Sequence, residues 1–164
     1  VIPFDNFQNI PIVQWKLFEI FERRIKTFKT YFHIMWYDSY TVNLDELDNQ
    51  HKELFDILGS IYTIYEEKGF GPEYKERLNQ YFEAMESHLA YEESLMTRLE
   101  YPRYLIQKNG HVSVLTLISK YKDTKEHTDS TELEFLEKMK EWLLVHTLIE
   151  DRKYSRFFRE KGLR

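Results

Sequence analysis

Three pairs of residues carry side chains that bind transition metals, and their spacing follows the helical repeat. His88 and Glu92 are four apart, Gln107 and His111 repeat that step, and His146 and Asp151 are five apart. A single His51 lies upstream. Residues four apart stand one turn apart on the same helical face. Imidazole suits iron, copper, zinc or nickel, while carboxylates in the same site favour iron or manganese and can bridge two ions. Gln107 is the exception: an amide stands where the repeated pattern asks for a histidine. His146 and Asp151 fall about 140° apart on a regular helix. Either they approach different sides of a centre, or the helix opens there into a π-type turn, as helices do at functional sites.

Any one of these residues alone would be unremarkable. Taken together, four of the six histidines fall on four expected helices, and two of them have a carboxylate partner at four or five positions. His33 and His127 lack such company and read as ordinary. Asp48 reads as an exposed or helix-start residue rather than a ligand. The Glu-x-x-His repeat of ferritin-like centres is absent, and no nucleophile elbow supports Ser-His-Asp catalysis.

The elements that must position these residues are helices. Trp15, Phe18, Phe21, Ile25, Phe28 and Phe32 recur at steps of three and four, predicting an amphipathic helix over about 13–35. Further helices are expected over about 47–67, 72–99 and 103–122, and from a capping box at Thr131 and Glu134 to about 159. Lys68-Gly-Phe-Gly-Pro72 separates two of them, because two glycines and a proline stop a helix. Asn109-Gly110 weakens the fourth from within. The expected architecture is all-α: an antiparallel up-down four-helix bundle over 36–164, preceded by an N-terminal arm and helix over 1–35.

Composition narrows the function. The 164 residues suit one domain with a real core. A net charge of −5 disfavours non-specific nucleic-acid binding. The absence of cysteine excludes thiolate metal sites, iron–sulfur clusters and disulfides. Nothing approaches the roughly 18 apolar residues of a membrane span, so a cytoplasmic location is expected. Aromatic residues make up 16% of the chain, enough for ring-filled helix contacts.

The stretch Trp36-Tyr-Asp-Ser-Tyr-Thr-Val-Asn-Leu-Asp-Glu-Leu-Asp-Asn-Gln-His51-Lys-Glu-Leu-Phe55 resembles the opening of bacterial hemerythrin-like domains. His88-x-x-x-Glu92 with Glu93, Leu95 and Met96, then Tyr101-Pro102, then Trp142-Leu-x-x-His146-x-x-x-x-Asp151 with Tyr154 resemble its later blocks. The resemblance covers about 36–160. It implies two iron ions, oxo- or hydroxo-bridged when oxidised, that bind dioxygen. Carried over by position, His51 and His88 would hold the iron that meets dioxygen, Glu92 and Asp151 would bridge, and His111 and His146 would hold the other iron. That iron's third histidine falls on Gln107, which either binds weakly or leaves its place to water or another ligand. Thr147 stands where relatives often carry a bulky aliphatic residue. Leu89, Tyr91, Trp142, Leu143 and Thr147 are expected to line the ligand pocket.

The resulting expectation is an oxygen or redox sensor, a binding domain rather than an enzyme. The alternatives are an oxygen carrier or store, and a di-iron enzyme handling peroxide or nitric oxide. Relatives of this type often precede signalling modules such as diguanylate cyclases. The Val1 start and basic C-terminal stretch fit a fused output module, and the N-terminal helix is expected to pack against the bundle, with a homodimer seam or the passing of a signal as the alternatives.

Overall fold

A computed structural model describes residues 34–164. The helix expected over 13–35, and any dimer seam on it, falls almost wholly outside the described residues. Ile34 and Met35, its last two positions, are described and are not helical.

Four long helical rods follow, with no strand among the described residues. After a short 3-10 turn at Asp38–Tyr40, α1 spans Asp45–Lys68, α2 Pro72–Arg98 and α3 Tyr104–Asp123. The last rod is composite: α4 spans Asp129–Val145, a π turn spans His146–Glu150, and α5 continues over Asp151–Glu160. The connections are only a few residues long, so consecutive rods run up and down as an antiparallel bundle.

Local chemistry sets the boundaries. Gly69 ends α1 at φ 69°, ψ −167°, a region that side chains rarely enter, while its N–H bonds Tyr65 O. Pro72 opens α2, where its missing N–H costs nothing. The capping box before α4 differs from the expected one. Thr128 is the cap and Thr131 the reciprocal partner, rather than Thr131 with Glu134. A threonine hydroxyl both accepts and donates, and so can fill the role usually taken by Glu. Asp48 does belong to a helix start, but it is buried. Its carboxylate accepts from the Val42 N–H at 2.8 Å and from the Thr41 hydroxyl, tying the incoming strand of chain onto α1.

Two apolar clusters fill the interior. The larger includes Leu54, Phe55 and Leu58 of α1, Tyr81, Phe82 and Met85 of α2, Val114 and Ile118 of α3, and Phe135, Leu136 and Leu143 of α4. The smaller joins Val42, Leu44, Leu47, Leu95, Met96, Tyr101, Tyr154 and Phe158. Each fully buried Leu, Ile, Val, Met or Phe contributes about 1.5–3 kcal/mol. Along every rod the metal-ligand candidates fall at or beside the passage from one cluster to the other. His51 lies between Leu47 and Leu54, and Glu92 between Leu89 and Leu95. His146 and Asp151 lie between Leu143 and Tyr154. The bundle therefore carries a polar layer between two apolar ones.

Two glycines test the packing in opposite directions. A Cβ on Gly59 would lie 2.6 Å from the backbone oxygen of Ile34, so the chain before α1 would have to move. Gly59→Ala is expected to destabilise the fold by about 1–3 kcal/mol in denaturant unfolding. A Cβ on Gly110 would meet nothing. Gly110→Ala is expected to stabilise it by up to about 1 kcal/mol. A Gly59→Ala protein as stable as the parent would show that Ile34 does not rest on this helix.

Candidate metal centre

The polar layer brings together residues from all four rods. His51 comes from α1, His88 and Glu92 from α2, His111 from α3, and His146 and Asp151 from the last rod. None is more than 4% exposed. The π turn makes the last pair possible: the Asp151 N–H bonds His146 O, five residues back, so the turn holds one residue more than an α turn. That residue carries Asp151 round to the side of His146, and Asp151 Oδ1 lies 3.3 Å from His146 Nε2.

The carboxylate oxygens are divided between two pairs of histidines. Glu92 Oε1 lies 3.4 Å from His88 Nε2, and Asp151 Oδ2 lies 3.0 Å from His51 Nε2. On the other side Glu92 Oε2 lies 3.2 Å from both His111 Nε2 and His146 Nε2, and Asp151 Oδ1 completes that half. Donor atoms of His51, His88, Glu92 and Asp151 all fall within 4.8 Å of one another, as do those of Glu92, His111 and His146.

Several of these atoms are buried without a hydrogen bond. Both nitrogens of His51, the Nε2 atoms of His88 and His111, and both Asp151 oxygens have no partner of hydrogen-bond geometry. A buried polar atom left this way costs about 1–3 kcal/mol, and more if charged. Six such atoms in one layer form a donor set that could hold a cation. Glu132, at the other end of the bundle, shows the contrast. It is equally buried, but it receives the hydroxyls of Tyr74 at 2.6 Å and Tyr121 at 2.7 Å, and it pairs with His127 at 2.6 Å. Its charge is met within the protein, and His127 is structural, although Glu132 stands five residues on from it, the same spacing as His146 and Asp151, so spacing alone did not separate the two cases.

Protonation favours the same reading. Burial pushes His51 below its usual pKa and His88 down to about 3. Both rings are neutral, so a lone pair is available for a metal. Burial acts to raise Glu92, but the surrounding histidines, His88 and His146 foremost, outweigh it and hold the carboxyl well below its ordinary range. Burial first, and then the charge of Glu92, push Asp151 upward. Two buried carboxyls facing each other resist ionising together unless a cation lies between them.

Residues next to the candidate ligands orient them. The oxygen of Gln50 lies 3.1 Å from His88 Nδ1, and Glu93 Oε1 lies 3.1 Å from His111 Nδ1. Both are acceptors, so each ring donates from Nδ1 and leaves Nε2 bare for a metal. The Tyr154 hydroxyl donates to Glu92 Oε1. Trp142 stacks on His146 with ring centroids 4.3 Å apart, and Trp36 on His51 at 6.2 Å. Spacing did not single out Gln50 or Glu93 for this role. The signal available was adjacency, because a residue one step from a ligand points about 100° away, toward the neighbouring rod.

Gln107 is buried in the layer, but its Nε2 reaches the backbone oxygen of Glu150 at 3.4 Å, at the end of the π turn. Of the expected pocket residues, Leu89 and Leu143 belong to the larger apolar cluster and Tyr91 borders the smaller one. Thr147 is wholly buried with an unpartnered hydroxyl.

A four-helix bundle whose core gathers four imidazoles and two carboxylates is a metal-binding helical domain. The family model described as "Hemerythrin HHE cation binding domain" matches residues 42–158, and the chain belongs to this family. A bacteriohemerythrin of Clostridium acetobutylicum is 24% identical over 125 residues, covering 73% of this chain and 97% of the relative. One from Campylobacter jejuni is 27% identical over 126 residues, covering 74% and 92%. The family binds non-heme iron, and the unpartnered donor set fits that metal. No helix among the described residues is long and apolar enough to cross a membrane.

The depressed pKa of His88 sets a pH test on metal-free protein. The unfolded chain takes up this proton near pH 6.5, whereas the folded one refuses it until about pH 3. The unfolded state therefore binds more protons below about pH 6.5, and this contribution to stability falls as the pH falls. His111 and Asp151, both raised, act in the opposite sense, so a variant must isolate the effect. Between about pH 7.5 and 5.5, urea midpoints should move in favour of His88→Gln relative to the parent. A constant difference between the two would show that His88 is not held neutral.

Proposed function

We propose that this domain is a di-iron sensor of dioxygen or redox state. The observation that carries the reading is the division of the carboxylate oxygens. Glu92 Oε1 and Asp151 Oδ2 stand with His88 and His51, while Glu92 Oε2 and Asp151 Oδ1 stand with His111 and His146. Each half would hold one iron, with Glu92 and Asp151 shared. Bound iron in such a pair supplies electrons to dioxygen.

The protein residues set how that chemistry is used. Tyr154 holds one oxygen of Glu92 by a buried hydrogen bond and fixes its rotamer. Leu89, Leu143, Trp142 and Thr147 would bound the ligand space. The unpartnered Thr147 hydroxyl would supply a hydrogen-bond donor where an aliphatic side chain would supply none.

Gln107 favours sensing over storage. A neutral amide is a weaker donor than imidazole, and its nitrogen is engaged by the Glu150 carbonyl. The His111 and His146 half would hold its iron less firmly than the other. The same hydrogen bond joins α3 to the π turn, so a change at this half bears on two rods at once. A fused module or a partner would read that movement.

Metal analysis of protein loaded anaerobically with ferrous iron should give two irons per chain. In air the reduced protein should pass quickly to the ferric state. Gln107→His should slow that oxidation by about tenfold, the scale on which residues around a metal tune it. Equal oxidation rates would remove Gln107 from the explanation, and one iron or none per chain would remove the di-iron reading.

A further inference from the structure

A row of aromatic rings leads from His51 to the protein surface. Trp36 lies over the His51 ring with centroids 6.2 Å apart and planes 23° from parallel. Tyr40 meets Trp36 at 5.9 Å, and Tyr37 meets Tyr40 at 5.3 Å. Tyr37 is 47% exposed. Trp36 and Tyr40 pack against Phe55 of the core, with ring centroids 5.8 and 5.3 Å away, whereas Tyr37, at the start of the 3-10 turn, is exposed and not part of either apolar cluster. On the other half of the centre Trp142 stacks on His146 but meets no second aromatic ring among the described residues.

We propose that Trp36, Tyr40 and Tyr37 form a one-electron route between solvent and the His51 side of the centre. The inference rests on the di-iron reading above. Trp and Tyr are the side chains without sulfur that give up single electrons most readily, and steps of this length between rings keep each transfer short. When the centre is left one electron short after meeting an oxidant such as peroxide, Trp36 supplies that electron. Trp36 is refilled from Tyr40, and Tyr40 from Tyr37. Tyr37 ends oxidised by one electron and releases its phenol proton to water, so no other bond in the row is made or broken. An external one-electron reductant of the ascorbate class then restores Tyr37.

Lys52 gives the row a direction. Its ammonium lies 5.7 Å from the Trp36 ring centroid, which makes a positive hole on Trp36 costlier than on the phenols beyond. A hole that has reached Trp36 therefore passes on to the phenols rather than resting on the indole. This removes oxidising equivalents from the buried ligands and delivers them where a soluble reductant can reach.

The test uses the full chain loaded with ferrous iron and a photogenerated ruthenium(III) polypyridine complex as oxidant. Ruthenium(III) takes one electron and becomes ruthenium(II), while one ferrous ion becomes ferric, and the rise of the ferric absorption gives the rate. Trp36→Phe and Trp36→Leu should slow that rise by about tenfold, equal to ~1.4 kcal/mol on the barrier. Peptide mass spectrometry should then find oxidation accumulating on Tyr37 and Tyr40. Tyr37→Phe, at an exposed position with little effect on folding, should slow the rise and abolish the modification at that residue. Rates unchanged in iron-loaded Trp36→Phe and Tyr37→Phe would overturn the route and leave the di-iron reading standing. A parent that takes up no iron would overturn that reading, and the route with it.

Discussion

The bundle is organised around one electrostatic constraint: two carboxylates and four imidazoles share a layer that water does not reach. Glu92 and Asp151 are wholly buried, and each faces histidine nitrogens that mostly lack hydrogen-bond geometry. Taking a carboxylate from water into such an interior is costly unless a counter-charge goes with it. A metal cation meets that need for both carboxylates and all four rings together. Glu132 shows the other way of burying a carboxylate, by surrounding it with phenols and a histidine. One bundle contains both solutions, and only the first leaves donor atoms free.

The rest of the architecture follows from holding that layer in place. Apolar clusters lie on either side of it, so shifting a rod along its axis would expose leucines and phenylalanines as well as misplace a ligand. The rings are then turned by neighbours in sequence acting across rods. Gln50, beside His51, orients His88, and Glu93, beside Glu92, orients His111. α1 and α2 thus each supply a ligand to the centre and a hydrogen bond to the next helix's ligand. Glu93 also receives the Tyr104 hydroxyl at 3.3 Å and the Lys108 ammonium at 3.4 Å, which anchors it to α3.

The two halves of the centre are supported differently. His51 and His88 are backed by Trp36 and Gln50, and they lie within 4.7 Å of each other, centroid to centroid. The other half contains Gln107 and the π turn. A π turn replaces α-helical hydrogen bonds by longer-range ones within the same rod. The Gln107 amide binds the carbonyl at its end. The departure from helical regularity and the departure from the repeated histidine pattern thus meet at one hydrogen bond.

Much of this was legible in the chain. Periodicity marked the four rods of the bundle, Lys68-Gly-Phe-Gly-Pro72 marked a boundary, and the spacing of His88 with Glu92 and of Gln107 with His111 marked the faces. The five-residue gap between His146 and Asp151 pointed to an irregular turn, because a regular helix would separate them by about 140°. Residue type and helical repeat are local properties, and local properties are what a sequence records. It could not record which oxygen of a carboxylate stands with which histidine, or that Gln50 and Glu93 reach across to neighbouring rods. Nor could it show that Gln107 bonds the Glu150 carbonyl, or that Trp36, Tyr40 and Tyr37 line up behind His51. Those relations join residues up to tens of positions apart, and they depend on the depth and rotation of each rod once its apolar face is buried. The sequence by itself determined which residues could serve a metal and on which helices; packing alone decided how they pair and what surrounds them.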